Sequence, residues 1–144
     1  MKILNEIKFC FPSKSVNEGF ARIAVSAFAS QLDPPVDELS DVKTAVSEAV
    51  TNCIVHAYRD KVGKIEICAR IIEGGIFYIR VKDIGCGIQN IEQAMEPLFT
   101  TAPNEERAGL GFAVMESFMD KLSVRSKVGK GTTIIMQKKF TLRG

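Results

Sequence analysis

Gly63-Lys64-Ile65-Glu66-Ile67-Cys68-Ala69-Arg70-Ile71-Ile72-Glu73-Gly74-Gly75-Ile76-Phe77-Tyr78-Ile79-Arg80-Val81-Lys82-Asp83 decides the fold. Ile65, Ile67, Ala69 and Ile71 alternate with Lys64, Glu66, Cys68 and Arg70, the period-2 pattern of a strand with one buried face. Glu73-Gly74-Gly75 supplies a tight turn, and Phe77, Ile79 and Val81 alternate again on the way back. The segment therefore predicts an antiparallel hairpin ending at Asp83.

Working outward, Lys2 to Phe11 alternates in part (Ile3, Ile7, Phe9, Phe11) and predicts a first strand. Ser15 with Glu18 three residues later fits a capping box. The helix that follows has an apolar stripe of Phe20, Ile23, Ala24, Phe28 and Leu32. After Pro34-Pro35, Asp37 is expected to cap a second helix reaching about Tyr58, with Val42, Ala45, Val46, Ala49, Val50, Cys53 and Ile54 at helical spacing. Beyond the hairpin, Asp83 to Gly87 reads as a glycine-rich turn and Asn90 to Met95 as a short helix. Glu96 to Arg107 is an irregular stretch of the kind that is usually functional. Gly109 to Leu122 predicts a third long helix, and strands near Ser123 to Val128 and Thr132 to Phe140 flank a turn at Gly129-Lys130-Gly131. This order gives an α+β two-layer sandwich, helices on one face of a mixed, mostly antiparallel sheet.

The chain has 144 residues, 46% of them hydrophobic, enough for one domain with a real core. We expect a single unit over residues 1–144, since no repeat, low-complexity tract or linker is visible. Nineteen Lys and Arg against seventeen Asp and Glu leave +2, so the bulk charge points to no nucleic-acid contact. No apolar run reaches the ~20 residues of a membrane span and the first residues lack a signal-peptide pattern. A cytoplasmic protein is the expectation. Cys10, Cys53, Cys68 and Cys86 are scattered without a CxxC pair, and His56 is the only histidine. That argues against zinc and for reduced thiols acting as small apolar residues.

Four short motifs carry chemistry. Glu48 and Asn52, spaced i,i+4, share one face of the second helix; at ~100° per residue they fall away from the stripe of Val46, Ala49 and Val50, and by themselves they fit an ordinary solvated face. Asp83-Ile84-Gly85-Cys86-Gly87 ends a strand in a carboxylate that can accept from an exocyclic amine, followed by two glycines; alone it is equally a plain turn. Gly109-Leu110-Gly111 stands where the irregular stretch meets the third helix, whose free N–H groups suit phosphate; the plain alternative is a flexible helix entry. Gly131-Thr132-Thr133 offers hydroxyls to a base, or is an ordinary hairpin. There is no GxxxxGK[ST], so a P-loop is excluded.

Together and in this order, E-x-x-x-N, D-x-G-x-G, G-x-G and G-T-T resemble the GHKL (Bergerat) ATP-binding fold shared by gyrase, the Hsp90 chaperone, histidine kinases and the mismatch-repair protein MutL. Ser47-Glu48-Ala49-Val50-Thr51-Asn52 and Pro97-Leu98-Phe99-Thr100-Thr101 look like the anti-sigma factor kinases of spore-forming bacteria, and among them most like the regulators of the sporulation sigma factor, sigma F. The likeness spans essentially the whole chain, including Asn17 to Arg22 and Gln31 to Pro34.

The resemblance implies a kinase that silences a sporulation sigma factor and uses ATP and Mg2+ to phosphorylate a serine on a small anti-anti-sigma protein, acting as a homodimer, with ADP as its other nucleotide. It implies that Glu48 is the general base and Asn52 the magnesium ligand. Asp83, helped by Thr132, would read adenine, while Gly85 and Gly87 let the chain approach the nucleotide. Thr100, Thr101, Gly109, Leu110 and Gly111 would hold phosphates under a lid from Glu96 to Arg107, with Arg107 as its arginine. Glu18 and Arg22 match partner-contacting positions; without the resemblance they are an ordinary i,i+4 ion pair. The chain departs from the pattern at Ala102, where a lysine is expected, and at Ala57, where glycine is. Cys86 inside the glycine turn would make the site sensitive to thiol reagents. Anti-sigma B kinases of the stress response and a nucleotide-dependent binding module without kinase activity stay open as alternatives. A histidine-kinase fragment is disfavoured because no phosphoacceptor helix precedes the domain.

Overall fold

A computed structural model describes residues 1–96 and 111–142. Ten residues, Ile3–Pro12, form β1; α1 is Val16–Ala29; α2 is Val36–Asn52; β2 and β3 are Lys64–Ile72 and Ile76–Asp83. Then come α3 (Ile91–Met95), α4 (Gly111–Phe118), β4 (Lys121–Lys127) and β5 (Gly131–Lys139). The sheet has the order β1-β2-β3-β5-β4, and every pairing among the described residues is antiparallel. The expected hairpin is present, with Ile65 opposite Asp83 and Ile72 opposite Ile76.

Alternation decides which face is buried. Ile65, Ile67, Ala69, Phe77, Ile79, Val81, Ile134 and Met136 point to one side and are sealed by Val42, Ala45, Val46, Ala49 and Val50 of α2. Phe77 stacks between Phe28 and Phe140, with ring centroids 6.2 and 5.8 Å away. Burying such side chains contributes about 1.5–3 kcal/mol each, so the helix layer on one sheet face is held mainly by α2. That helix is the one that carries Glu48 and Asn52.

Several expectations are corrected. In α1 the buried face is Ala21, Val25, Phe28 and Ala29, while Phe20 and Ile23 are 58% and 63% exposed; two apolar stripes overlap on this helix, and the one through Ala21 is the one that fits against α2. Ser15 stands at the N-cap position in helical φ/ψ and makes no side-chain cap bond, so there is no capping box. The N-cap of α2 is Pro35 in extended conformation, and Asp37 lies in the first turn, where its charge still complements the helix dipole. The α-helix stops at Asn52 and continues as a π-helical turn, Cys53–Ala57. The third long helix, described from Gly111, ends at Phe118 rather than Leu122, and β4 starts at Lys121.

Lys138 ties three elements together: its Nζ donates to the Phe118 carbonyl of α4 at 2.7 Å and stands 3.3 Å from Asp41 of α2. Lys138→Met is expected to lower stability by about 1–2 kcal/mol, because it leaves a carbonyl and a carboxylate without their partner. Urea denaturation monitored by circular dichroism checks this; an unchanged midpoint would show that solvent satisfies both groups.

Candidate nucleotide site

Asp83, the last residue of β3, is 4% exposed. Its Oδ1 accepts the N–H of Gly85 at 2.9 Å and of Thr132 at 3.1 Å, and its Oδ2 accepts the Cys53 thiol at 3.5 Å. Burial pushes its carboxyl above the usual aspartate range, against the pull of these donors. The same neighbourhood pushes the buried Cys53 thiol well up, through burial first and the Asp83 charge second. Three donors fix this carboxylate, and Oδ2 keeps a lone pair for a ligand amine.

Close approach explains the glycines. A Cβ on Gly85 would lie 2.4 Å from the Ala57 carbonyl oxygen and 2.7 Å from the Ala57 Cβ, so no larger residue fits against the π turn. Ala57, where the resemblance calls for glycine, is thus accommodated only because Gly85 has no side chain. Gly131 has φ +114°, and a Cβ there would lie 2.2 Å from the Asp83 carbonyl oxygen. Gly131→Ala is expected to push Thr132 off Asp83, weakening nucleotide binding about tenfold or more and lowering the melting temperature. Calorimetric titration with ADP, alongside a thermal melt, would measure both; unchanged values would mean that the β4–β5 turn relaxes freely.

Two residues not anticipated from sequence hold the turn. Tyr58 accepts the Ile84 N–H and donates to the Lys64 carbonyl, both at 2.7 Å. Ser126 accepts the Ile88 N–H at 2.7 Å and lies 2.7 Å from the Thr132 hydroxyl. Ser126 is directly opposite Thr132 in the β4–β5 register, a relation that exists only once the register is known.

These elements enclose a cleft of about 740 Å³ whose lining includes Asn52, Asp83, Cys86, Gly87, Gly111 and Thr132, a size suited to a small-molecule ligand. Asn52 Nδ2 is buried with no hydrogen-bond partner among the described residues, and a Cβ on Gly111 would lie 3.0 Å from Asn52 Oδ1. The end of α2 and Gly111 of α4 therefore meet at an amide whose hydrogens none of the described residues accepts. Glu48, one turn before Asn52, is 4% exposed; the solvated face that its spacing allowed is not what the fold makes of it. Cys86 is exposed at the cleft wall, with its thiol 3.2 Å from the His56 carbonyl. Thr100, Thr101, Arg107, Gly109, Leu110 and Ala102 lie outside the described residues, as does the expected lid beyond Glu96. Glu18 and Arg22 line a second cleft, between α1 and α2, with Ile23, Lys43 and Ser47. No helix among the described residues is long and apolar enough to cross a membrane.

A sequence profile described as the histidine kinase-like ATPase domain matches residues 11–138. The anti-sigma F factor of Clostridium acetobutylicum is 57% identical over 138 residues, 96% of each chain. This chain belongs to the anti-sigma F factor family, within the histidine kinase-like ATPases. The anti-sigma F factor of Geobacillus thermodenitrificans is 51% identical over 134 residues, covering 93% of this chain and 92% of that one. Among solved structures, the RsbU and RsbW domains of a Mycobacterium tuberculosis protein share the fold with a TM-score of 0.70 at 17% identity, over 94% of this chain and 32% of that one. A blue-light-activated histidine kinase domain of Erythrobacter litoralis gives 0.58 at 20% identity, over 90% and 62%. As a histidine kinase-like ATPase domain the chain is an ATP-binding protein, and the cleft beside Asp83 has a size and a polar lining that suit a small-molecule ligand.

Proposed function

We propose that this anti-sigma F family member binds a sporulation sigma factor and, as a protein serine kinase, transfers the γ-phosphoryl group of ATP to a serine of an anti-anti-sigma partner. The observation that best supports the kinase reading is Glu48, a carboxylate buried to 4% exposure one helical turn before Asn52, the residue that lines the cleft.

In this reading Asp83 accepts the adenine amine with Oδ2, and Thr132 and Ser126 complete the base end. Asn52 is the residue that would hold Mg2+, and a single side-chain oxygen suits an ion that keeps most of its waters and binds phosphate. The Asn52 amide hydrogens, without a partner among the described residues, are consistent with a ligand arriving there. Bound Mg·ATP supplies the phosphoryl group and neutralises its charge. Glu48 takes the proton from the serine hydroxyl, acting within hydrogen-bond reach of the incoming residue. Gly109, Leu110 and Gly111, leading into α4, would offer backbone N–H groups to phosphate oxygens, with Thr100 and Thr101 as further phosphate contacts; Arg107 would stabilise the transferring group. Glu18 and Arg22, beside the α1–α2 cleft, are the partner-facing pair, and a homodimer with ATP and ADP states of different partner affinity completes the scheme.

The test incubates the purified chain with γ-labelled ATP, Mg2+ and the anti-anti-sigma protein of the same genome. Label on one serine of the acceptor supports the kinase. Tight ATP binding with no transfer supports the second reading, a nucleotide-dependent binding module.

A further inference from the structure

The sheet has two faces, and among the described residues only one is covered by helices. On β3, β5 and β4 the side chains that alternate away from the core include six cations, Arg80, Lys82, Lys121, Arg125, Lys127 and Lys139, and no carboxylate. Over the strand residues of the whole open face, nine of the chain's 19 Lys and Arg stand against two of its 17 Asp and Glu, Glu6 and Glu66. Both acids are already engaged, Glu6 by Arg70 and Glu66 by Arg80. The overall charge of +2 thus hides a cationic face backed by an acidic remainder.

Lys82, Lys121, Arg125, Lys127 and Lys139 are exposed, and their side-chain cations form no ion pair within 4.0 Å among the described residues, the one nearby carboxylate, Asp120, accepting the Lys139 backbone N–H instead. Strand geometry sets them on a grid of ~6.8 Å along a strand and ~4.8 Å between strands. A second copy would bring like charge onto like charge. A protein interface is normally built round an apolar or aromatic centre and depleted in lysine, whereas four of these five cations are lysines. Tyr78 is the one aromatic side chain on this face, at the middle of β3, with the Arg70 guanidinium 4.9 Å from its ring centroid. Rows of cations round an aromatic ring match a flexible polyanion with planar bases.

We propose that the open face of β3–β5–β4 binds single-stranded nucleic acid, its phosphates on the lysines and Arg125 and a base against Tyr78. This replaces the expectation drawn from net charge, and it stands independently of the kinase reading. Neutralising five phosphates would give a log–log salt slope of about −3.5, so affinity falls about 100-fold between about 50 and about 200 mM salt.

The experiment follows the fluorescence anisotropy of a labelled oligothymidine of about 20 nucleotides titrated with the full chain at both salt concentrations. Lys121→Glu/Arg125→Glu should weaken binding at least tenfold, and Tyr78→Leu about tenfold, with ATP affinity unchanged in both because these residues are outside the nucleotide cleft. The proposal is overturned by no binding at the lower salt, by equal binding of the variants, or by tighter capture of a duplex or of phosphatidylserine vesicles.

Discussion

Glu48→Gln is expected to lower phosphoryl transfer about 10²–10⁴-fold, the range for removing a general base, while ATP affinity stays within about twofold. The amide keeps the shape of a side chain that is 4% exposed, so the substitution leaves no cavity while it removes the ability to take a proton. Single-turnover transfer from labelled ATP to the acceptor serine, with calorimetric ATP binding in parallel, separates the two quantities. Undiminished transfer would assign Glu48 a purely structural role and leave the base to be found elsewhere.

The second large effect is on affinity. Asp83→Asn should weaken ATP and ADP binding on the order of 100-fold, since a site built around a specific hydrogen bond discriminates strongly once that bond is lost. With the asparagine oxygen retained by the Gly85 and Thr132 N–H groups, its NH2 takes the place of Oδ2 and meets the adenine amine donor to donor. Stability should move differently. Burial raises the Asp83 carboxyl above its ordinary value, so the folded state holds that proton more tightly than the unfolded one. Stability is then lost as pH rises from the unfolded value of about 3.9 through the folded one. Above both values the loss is complete and constant. Asparagine has no such pH-dependent loss, so the variant's stability relative to the parent should be greatest at pH 7 and shrink as pH falls through that window, offset throughout by the Cys53 thiol bond that the NH2 no longer accepts. Thermal melts between pH 7 and pH 4 would show this, and a stability difference independent of pH would contradict it.

Strands and hairpin were legible because period-2 alternation needs no tertiary information: Ile65 to Val81 announces its buried face residue by residue. The site motifs were legible for a related reason. Gly85 and Gly131 stood out as glycines inside short motifs, although what requires them is tertiary, the close approaches at Ala57 and at the Asp83 carbonyl. Tertiary competition hid the rest. On α1, Phe20 and Ile23 are larger than Ala21, yet packing buried the face that runs through Ala21, Val25, Phe28 and Ala29. The burial of Glu48, which its angle on α2 did not foretell, depends on what packs over that face. Tyr58 and Ser126 act through hydrogen bonds to segments 26 and 38 residues away, beyond any local pattern. The basic sheet face was hidden by averaging, since charge summed over a chain says nothing of its distribution between two faces.

The strand order carries a consequence for how the protein is made. β5, at residues 131–139, sits between β3 and β4 rather than at an edge, and it supplies the Thr132 N–H that holds Asp83. During synthesis the hairpin β2–β3 emerges with β1 to pair with, but the central gap of the sheet stays open until β5 has left the ribosome. Until then Asp83 lacks one of its donors, and β3 presents an unpaired edge of the kind that promotes aggregation. Competence to hold nucleotide therefore arrives late in translation, and a ribosome-stalled chain ending before Gly131 should expose β3 to chaperones while having no base pocket at all.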